Sequence, residues 1–371
     1  MHSLSAPEVT PDVERLVEHA AALVAVPLDT VENSFTLHAP LELLGRVGLL
    51  PHVARARRAD AAAMIVELAD RYAAAGDPVD APRPAELGTP EQAASRLLAA
   101  VRAGELDEVD ALAAALLPTV SPAEAVGLLG EGLVTSLAAA GHAPIGFSLL
   151  GRVRPMLTTE LLRGPLRSIA RRPEWQIHWH RDVTTVGNPE LLYAAVRATP
   201  MLGRPGSDFI HPLMSQVQDA GVAAELLGPV LADRFDTAAA ARALHRVAAW
   251  SMVHDDPSQA PYGWTHALTM PQAVMALAGA GVTPRTALAV AGTFTVGFRA
   301  AHGTVELPVE IEPGAAPAAT WTELLTAAAV HDDAHLVKYA LAARHSADDD
   351  PAFETLYRSA LAALVEFWRA A

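Results

Sequence analysis

Residues 331–345 read His-Asp-Asp-Ala-His-Leu-Val-Lys-Tyr-Ala-Leu-Ala-Ala-Arg-His and contain Lys338, the only lysine in a chain of 371 residues. If the segment is helical, His331, His335, Lys338, Ala342 and His345 step by three and four along one face. Codon bias accounts for a chain that makes its other cationic side chains from arginine, but not for where the surviving amine sits. Lys338 is flanked by Leu336, Val337, Tyr339, Ala340 and Leu341. In that company it is a drifted surface residue, snorkels from an apolar face, or is held inside. A buried amine loses its charge and becomes a nucleophile, open to carbamylation by CO2. The carbamate is an oxygen donor suited to a metal beside neutral imidazoles.

Other histidines stand at expected helix entries. His38 lies two residues ahead of Pro40, and His142 lies in Gly141-His142-Ala143-Pro144. His266 follows Trp264, a candidate to wall an aromatic pocket together with Phe147 and Phe294. His178 and His180 share a face only if their segment is a strand, and an irregular segment is the favoured reading. His331 and Asp332, with Asp255, are candidates to orient ligand imidazoles through the second ring nitrogen. His-Asp-Asp occurs twice, at 254–256 and 331–333, so a metal-dependent phosphohydrolase of the HD kind is an alternative. Both runs sit at expected helix ends, where aspartates serve as caps, and the sequence offers no cluster of arginines for phosphate.

The elements that must hold these groups are helices. Helical spacing covers 9–27, with Thr10-Pro11 as its start, then 52–75, 92–117 as one helix or two, 228–256 and 284–301. Ser121-Pro122-Ala123-Glu124 is a capping box opening a helix to about residue 140. Only 304–311 alternates, as one short strand or an extended loop. The class is therefore mainly α, with 1–371 as one multi-helical domain, or two helical subdomains meeting near 200–212.

Net charge is −15 with no basic block, which argues against phosphate-backbone binding to nucleic acid. There is no cysteine, so thiolate sites and disulfides are excluded. No secretory signal or membrane span is evident, and a cytoplasmic protein, monomer or homodimer, is expected. No phosphate-binding Gly-rich loop, dinucleotide fingerprint or Gly-x-Ser-x-Gly elbow is present.

Four stretches together resemble the questin oxidase-like family. They are Leu37-His38-Ala39-Pro40 leading into Leu43-Leu44-Gly45, Gly141-His142-Ala143-Pro144-Ile145, Tyr262 to Ala273, and Asp333-Ala334-His335-Leu336-Val337-Lys338. The resemblance spans about residues 30 to 345. It implies a largely helical oxygenase that uses O2 on aromatic polyketides, by Baeyer–Villiger-type or ring-cleaving chemistry. It further implies a non-haem iron held by four histidines and a carboxylated lysine, here His38, His142, His266, His335 and Lys338, with NADPH a candidate reductant. Gly146 departs from the larger polar residue expected there, and His331 competes with His335 as the ligand. A helical protein that binds aromatic ligands without chemistry is a further alternative.

Overall fold

The computed structural model describes residues 11–30, 33–79, 86–152, 159–206 and 210–371. Within them lie seventeen α-helices and a single two-stranded antiparallel pairing of Leu28–Asp29 with Asp77–Pro78. The mainly α reading holds, and buried side chains from Val17 to Val365 form one continuous core. The proposed start at Thr10 lies outside the described residues, and the first described helix runs Pro11–Val24.

Several expectations change in detail. The stretch 92–117 is two helices, Pro90–Ala103 and Leu106–Leu116, because Gly104 takes φ +73° and ends the first. The Ser121–Glu124 capping box is present, but its helix stops at Leu133. Residues 304–311 form an extended loop. Leu307 and Ile311 turn inward while Val305 and Val309 face solvent, and the loop's carbonyls bind side chains, with Tyr193 donating to Pro308 and Arg299 to Val305. The four alternate apolar residues therefore do not share one covered face, and no strand forms. His178 and His180 lie at an irregular turn, the first exposed and the second buried.

Four helices frame the interior that matters here. They run Ser34–Leu49, Ala143–Arg152, Thr265–Ala276 and Ala334–Asp349, and they pack on one another. At Gly45 the first of these approaches the last so closely that a Cβ would stand 3.0 Å from Val337 Cγ1. That is tighter than a methyl group tolerates, so glycine sets the separation of the two helices one residue from Lys338.

Candidate metal centre

Each histidine is positioned by a local device. Asn33 caps the Ser34–Leu49 helix with a reciprocal capping box to Thr36, and His38 sits one turn in. Its Nδ1 is bonded to the Ser34 carbonyl. A carbonyl only accepts, so Nδ1 carries the proton and Nε2 presents a lone pair. That Nε2 is buried without a protein partner.

His266 repeats the arrangement, with Nδ1 on the Tyr262 carbonyl. Tyr262 belongs to a π-helical turn, Ala260–Trp264, which runs directly into the Thr265–Ala276 helix. Such wide turns are frequent at functional sites. His142 is presented differently. Ala139, Ala140 and Gly141 all have positive φ, at 49°, 53° and 67°, and this left-handed turn delivers His142 to the start of its helix. Non-glycine residues there cost roughly 1–3 kcal/mol each, and such backbone persists where the surroundings over-determine it.

The three rings converge. His142 Nε2 lies 3.3 Å from His266 Nε2, and one ligand atom from each of His38, His142 and His266 falls within 4.8 Å of the others. All three are buried. His335 stands beside this group, its ring 4.4 Å from that of His38 and 5.0 Å from that of His266. Its Nδ1 is 3.4 Å from the carboxylate of Asp333, within ion-pair reach and without hydrogen-bond alignment. Asp333 also caps the helix by accepting from the backbone N–H groups of His335 and Leu336.

Lys338 is 2 % exposed, and its Nζ has no hydrogen-bond partner. Burial lowers its pKa to about 7, while Asp333 and Glu42 pull weakly the other way. A positive charge on Lys338 would oppose protonation of His38, His142, His266 and His335 alike, so the amine lies within electrostatic reach of all four. Desolvation is the largest cause lowering each histidine's pKa. The imidazoles are held neutral, the state in which they coordinate metals.

The loop before Lys338's helix is anchored from below. Arg46 and Glu42 form a buried pair, and the guanidinium also donates to the Ala329 and His331 carbonyls at 2.9 and 2.7 Å. This bridge fixes the turn through which the chain enters the Ala334–Asp349 helix.

The structure thus brings His38, His142 and His266 together, with the His335 ring beside them and Lys338 within electrostatic reach. It does not bring His331, Asp332 or Trp264 to them. The helix begins at Ala334, so His331 falls outside it; its ring packs on Trp368, and its Nδ1 accepts from Asp333 N. Asp332 is exposed. Trp264 is buried against Arg299 and His302. Asp255 pairs with Arg299 and accepts from the N–H groups of Thr304 and Val305, while His254 stacks on Trp250. The two His-Asp-Asp runs therefore serve as caps and loop anchors.

Two residues at the cluster escaped the sequence reading. Tyr262 sets its ring edge-on to His335 at 4.9 Å while remaining 55 % exposed, and Phe298 stacks toward His266 at 6.4 Å. Nothing in the sequence marks Phe298, which lies among apolar residues of the Pro284–His302 helix. A cavity of about 40 Å³ reaches His142 between Leu37, Pro40 and Leu41 on one side and Gly164 to Arg171 on the other. That is room for two or three waters.

The cluster's donor set fits a borderline metal ion: three neutral imidazoles with convergent nitrogens, a fourth adjacent, and one unpartnered amine. Facing Nε2 atoms need a proton or a cation between them, because two lone pairs repel. No protein-family model matches the chain, and no curated protein matches it. No helix among the described residues is long and apolar enough to cross a membrane.

Proposed function

We propose that the chain is a metal-dependent oxygenase acting on a flat aromatic substrate, with a non-haem iron held by His38, His142, His266 and His335 and by a carboxylated Lys338. The observation that carries this reading is the unpartnered, fully buried amine set among four neutral imidazoles. A surface lysine would be solvated and charged. An amine of pKa about 7 is substantially neutral at physiological pH, and its lone pair can attack CO2 and release a proton. The resulting carbamate supplies the negative charge that four imidazoles lack.

Iron bound there supplies redox access to O2. Around it, the Ser34 and Tyr262 carbonyls hold the His38 and His266 rings with Nε2 inward, and the Asp333 carboxylate steadies His335. These five donors would hold the ion through neutral imidazoles and one anionic oxygen. The small cavity at His142 admits water or a diatomic gas, and a ring system does not fit it. Tyr262 bridges solvent and the His335 ring, so an aromatic substrate approaches from that side and stacks on the tyrosine. NADPH remains a candidate reductant, with no dinucleotide motif in its support.

The test is O2 uptake by iron-reconstituted protein in the presence of polyhydroxylated anthraquinones, with bicarbonate present or removed. Substrate-dependent uptake stimulated by bicarbonate supports the reading. Release of phosphate from phosphodiesters without O2 uptake would instead point to hydrolysis.

A further inference from the structure

Away from the histidine cluster lies a second, larger cleft of about 750 Å³, within the range of small-molecule sites. Arg102, Glu131, Thr135, Gln176, His180, Arg181, Arg285 and Thr286 line it, with few apolar neighbours. Three guanidinium groups face one carboxylate here, on a chain whose net charge is −15. These arginines are far apart in sequence, so no sequence pattern announced them.

Most of the lining is already engaged. Glu131 accepts from Thr283 N at 2.7 Å and from the Thr286 hydroxyl at 2.7 Å, capping the Pro284–His302 helix. The Thr135 hydroxyl donates to Gln176, whose amide donates to the Pro173 carbonyl. Arg285 is tied to the Val183 and Thr185 carbonyls. Two exposed guanidinium groups, Arg102 and Arg181, have no hydrogen bond or ion pair among the described residues. Between these elements His180 is 9 % exposed, and its Nδ1 is buried without a partner. A buried polar atom left unpaired costs free energy, and its residue lines the same cleft as the two free guanidinium groups.

We infer that this cleft is an anion site for a phosphate-bearing small molecule, held by Arg102 and Arg181 with the His180 imidazole lining the same pocket. Paired guanidinium forks match tetrahedral oxyanions in charge and direction. Burial, followed by the charge of Arg181, lowers the His180 pKa to about 4. The imidazole is therefore neutral across the physiological range, and the charge that draws the anion comes from the arginines. The inference stands apart from the metal reading, since no residue is shared between the two sites.

The experiment is calorimetric titration of the full chain with pyrophosphate and inorganic phosphate, chloride being adjusted to constant ionic strength. Wild type is compared with the Arg102→Gln, Arg181→Gln double variant. Saturable pyrophosphate binding is expected, weakened at least tenfold in the double variant and severalfold in His180→Phe, with unchanged far-UV circular dichroism and melting. No binding above the chloride control would overturn the inference. So would equal binding by the double variant, or equally tight binding of succinate.

Discussion

His142 and His266 approach each other at 3.3 Å between their Nε2 atoms, although 124 residues separate them in sequence. The Nδ1 of His266 is committed to the Tyr262 carbonyl, so its Nε2 offers a lone pair directly to its neighbour. A protein that builds a left-handed turn to present His142, and a π-turn to present His266, invests conformational free energy in that juxtaposition.

Lys338→Met should separate the amine's cost from its use. Burial of an amine opposes folding of the metal-free protein, so replacing it with an apolar side chain of similar length should leave the apo melting temperature unchanged or raised. The rise in melting temperature on adding Fe(II) and bicarbonate should disappear. Differential scanning calorimetry with and without metal checks both halves.

The pH dependence of metal-free stability follows from the same burial. Lys338 titrates near 10.5 unfolded and at about 7 folded. Between those values the unfolded chain holds a proton that the folded chain does not, so stability rises with pH from about 7 to 10.5. The ceiling is roughly 5 kcal/mol. The four histidines, all lowered from 6.5, add stability that is present above 6.5 and lost as pH falls below it. Urea denaturation across pH 5 to 10 should show both slopes, and Lys338→Met should remove only the alkaline one.

The helical frame was legible in the sequence, because helix periodicity is strong in an Ala- and Leu-rich chain. Lys338 stood out as the only lysine, while the set His38, His142, His266, His335 and Lys338 came from the family resemblance and not from spacing. The choice between His331 and His335 was not legible. It turns on Asp333 being the N-cap, which puts one histidine outside the helix and the other inside it. Trp264 was expected at the site because it is two residues from His266. The π-turn there swings Trp264 toward Arg299 and presents Tyr262 instead. That Arg102 and Arg181 line one cleft depends on tertiary packing alone.

Gly45→Ala probes the spacing between the two helices that carry His38 and Lys338. The added methyl would stand 3.0 Å from Val337 Cγ1, and relieving it means moving Val337 or the backbone beside Lys338. A loss of about 1–3 kcal/mol is expected, with metal affinity reduced in the same variant. Equilibrium denaturation and a competitive chelator titration measure the two effects.

Arg46→Ala would leave Glu42 buried without its partner and release the carbonyls of Ala329 and His331. Removing one member of a buried pair costs about 3–5 kcal/mol. Arg46→Ala with Glu42→Leu should recover part of that loss, because the uncompensated charge is gone. Failure of the second substitution to recover stability would mean that the carbonyl anchoring, not the ion pair, dominates.

The most direct measurement is elemental analysis of freshly purified protein, with Lys338→Ala and His266→Ala prepared in parallel and checked for folding by circular dichroism. About one iron per chain is expected in the wild type, with little or none in either folded variant. Full iron retention in Lys338→Ala would contradict the carbamate, and wild-type protein that takes up no metal even after reconstitution would contradict the metal centre itself.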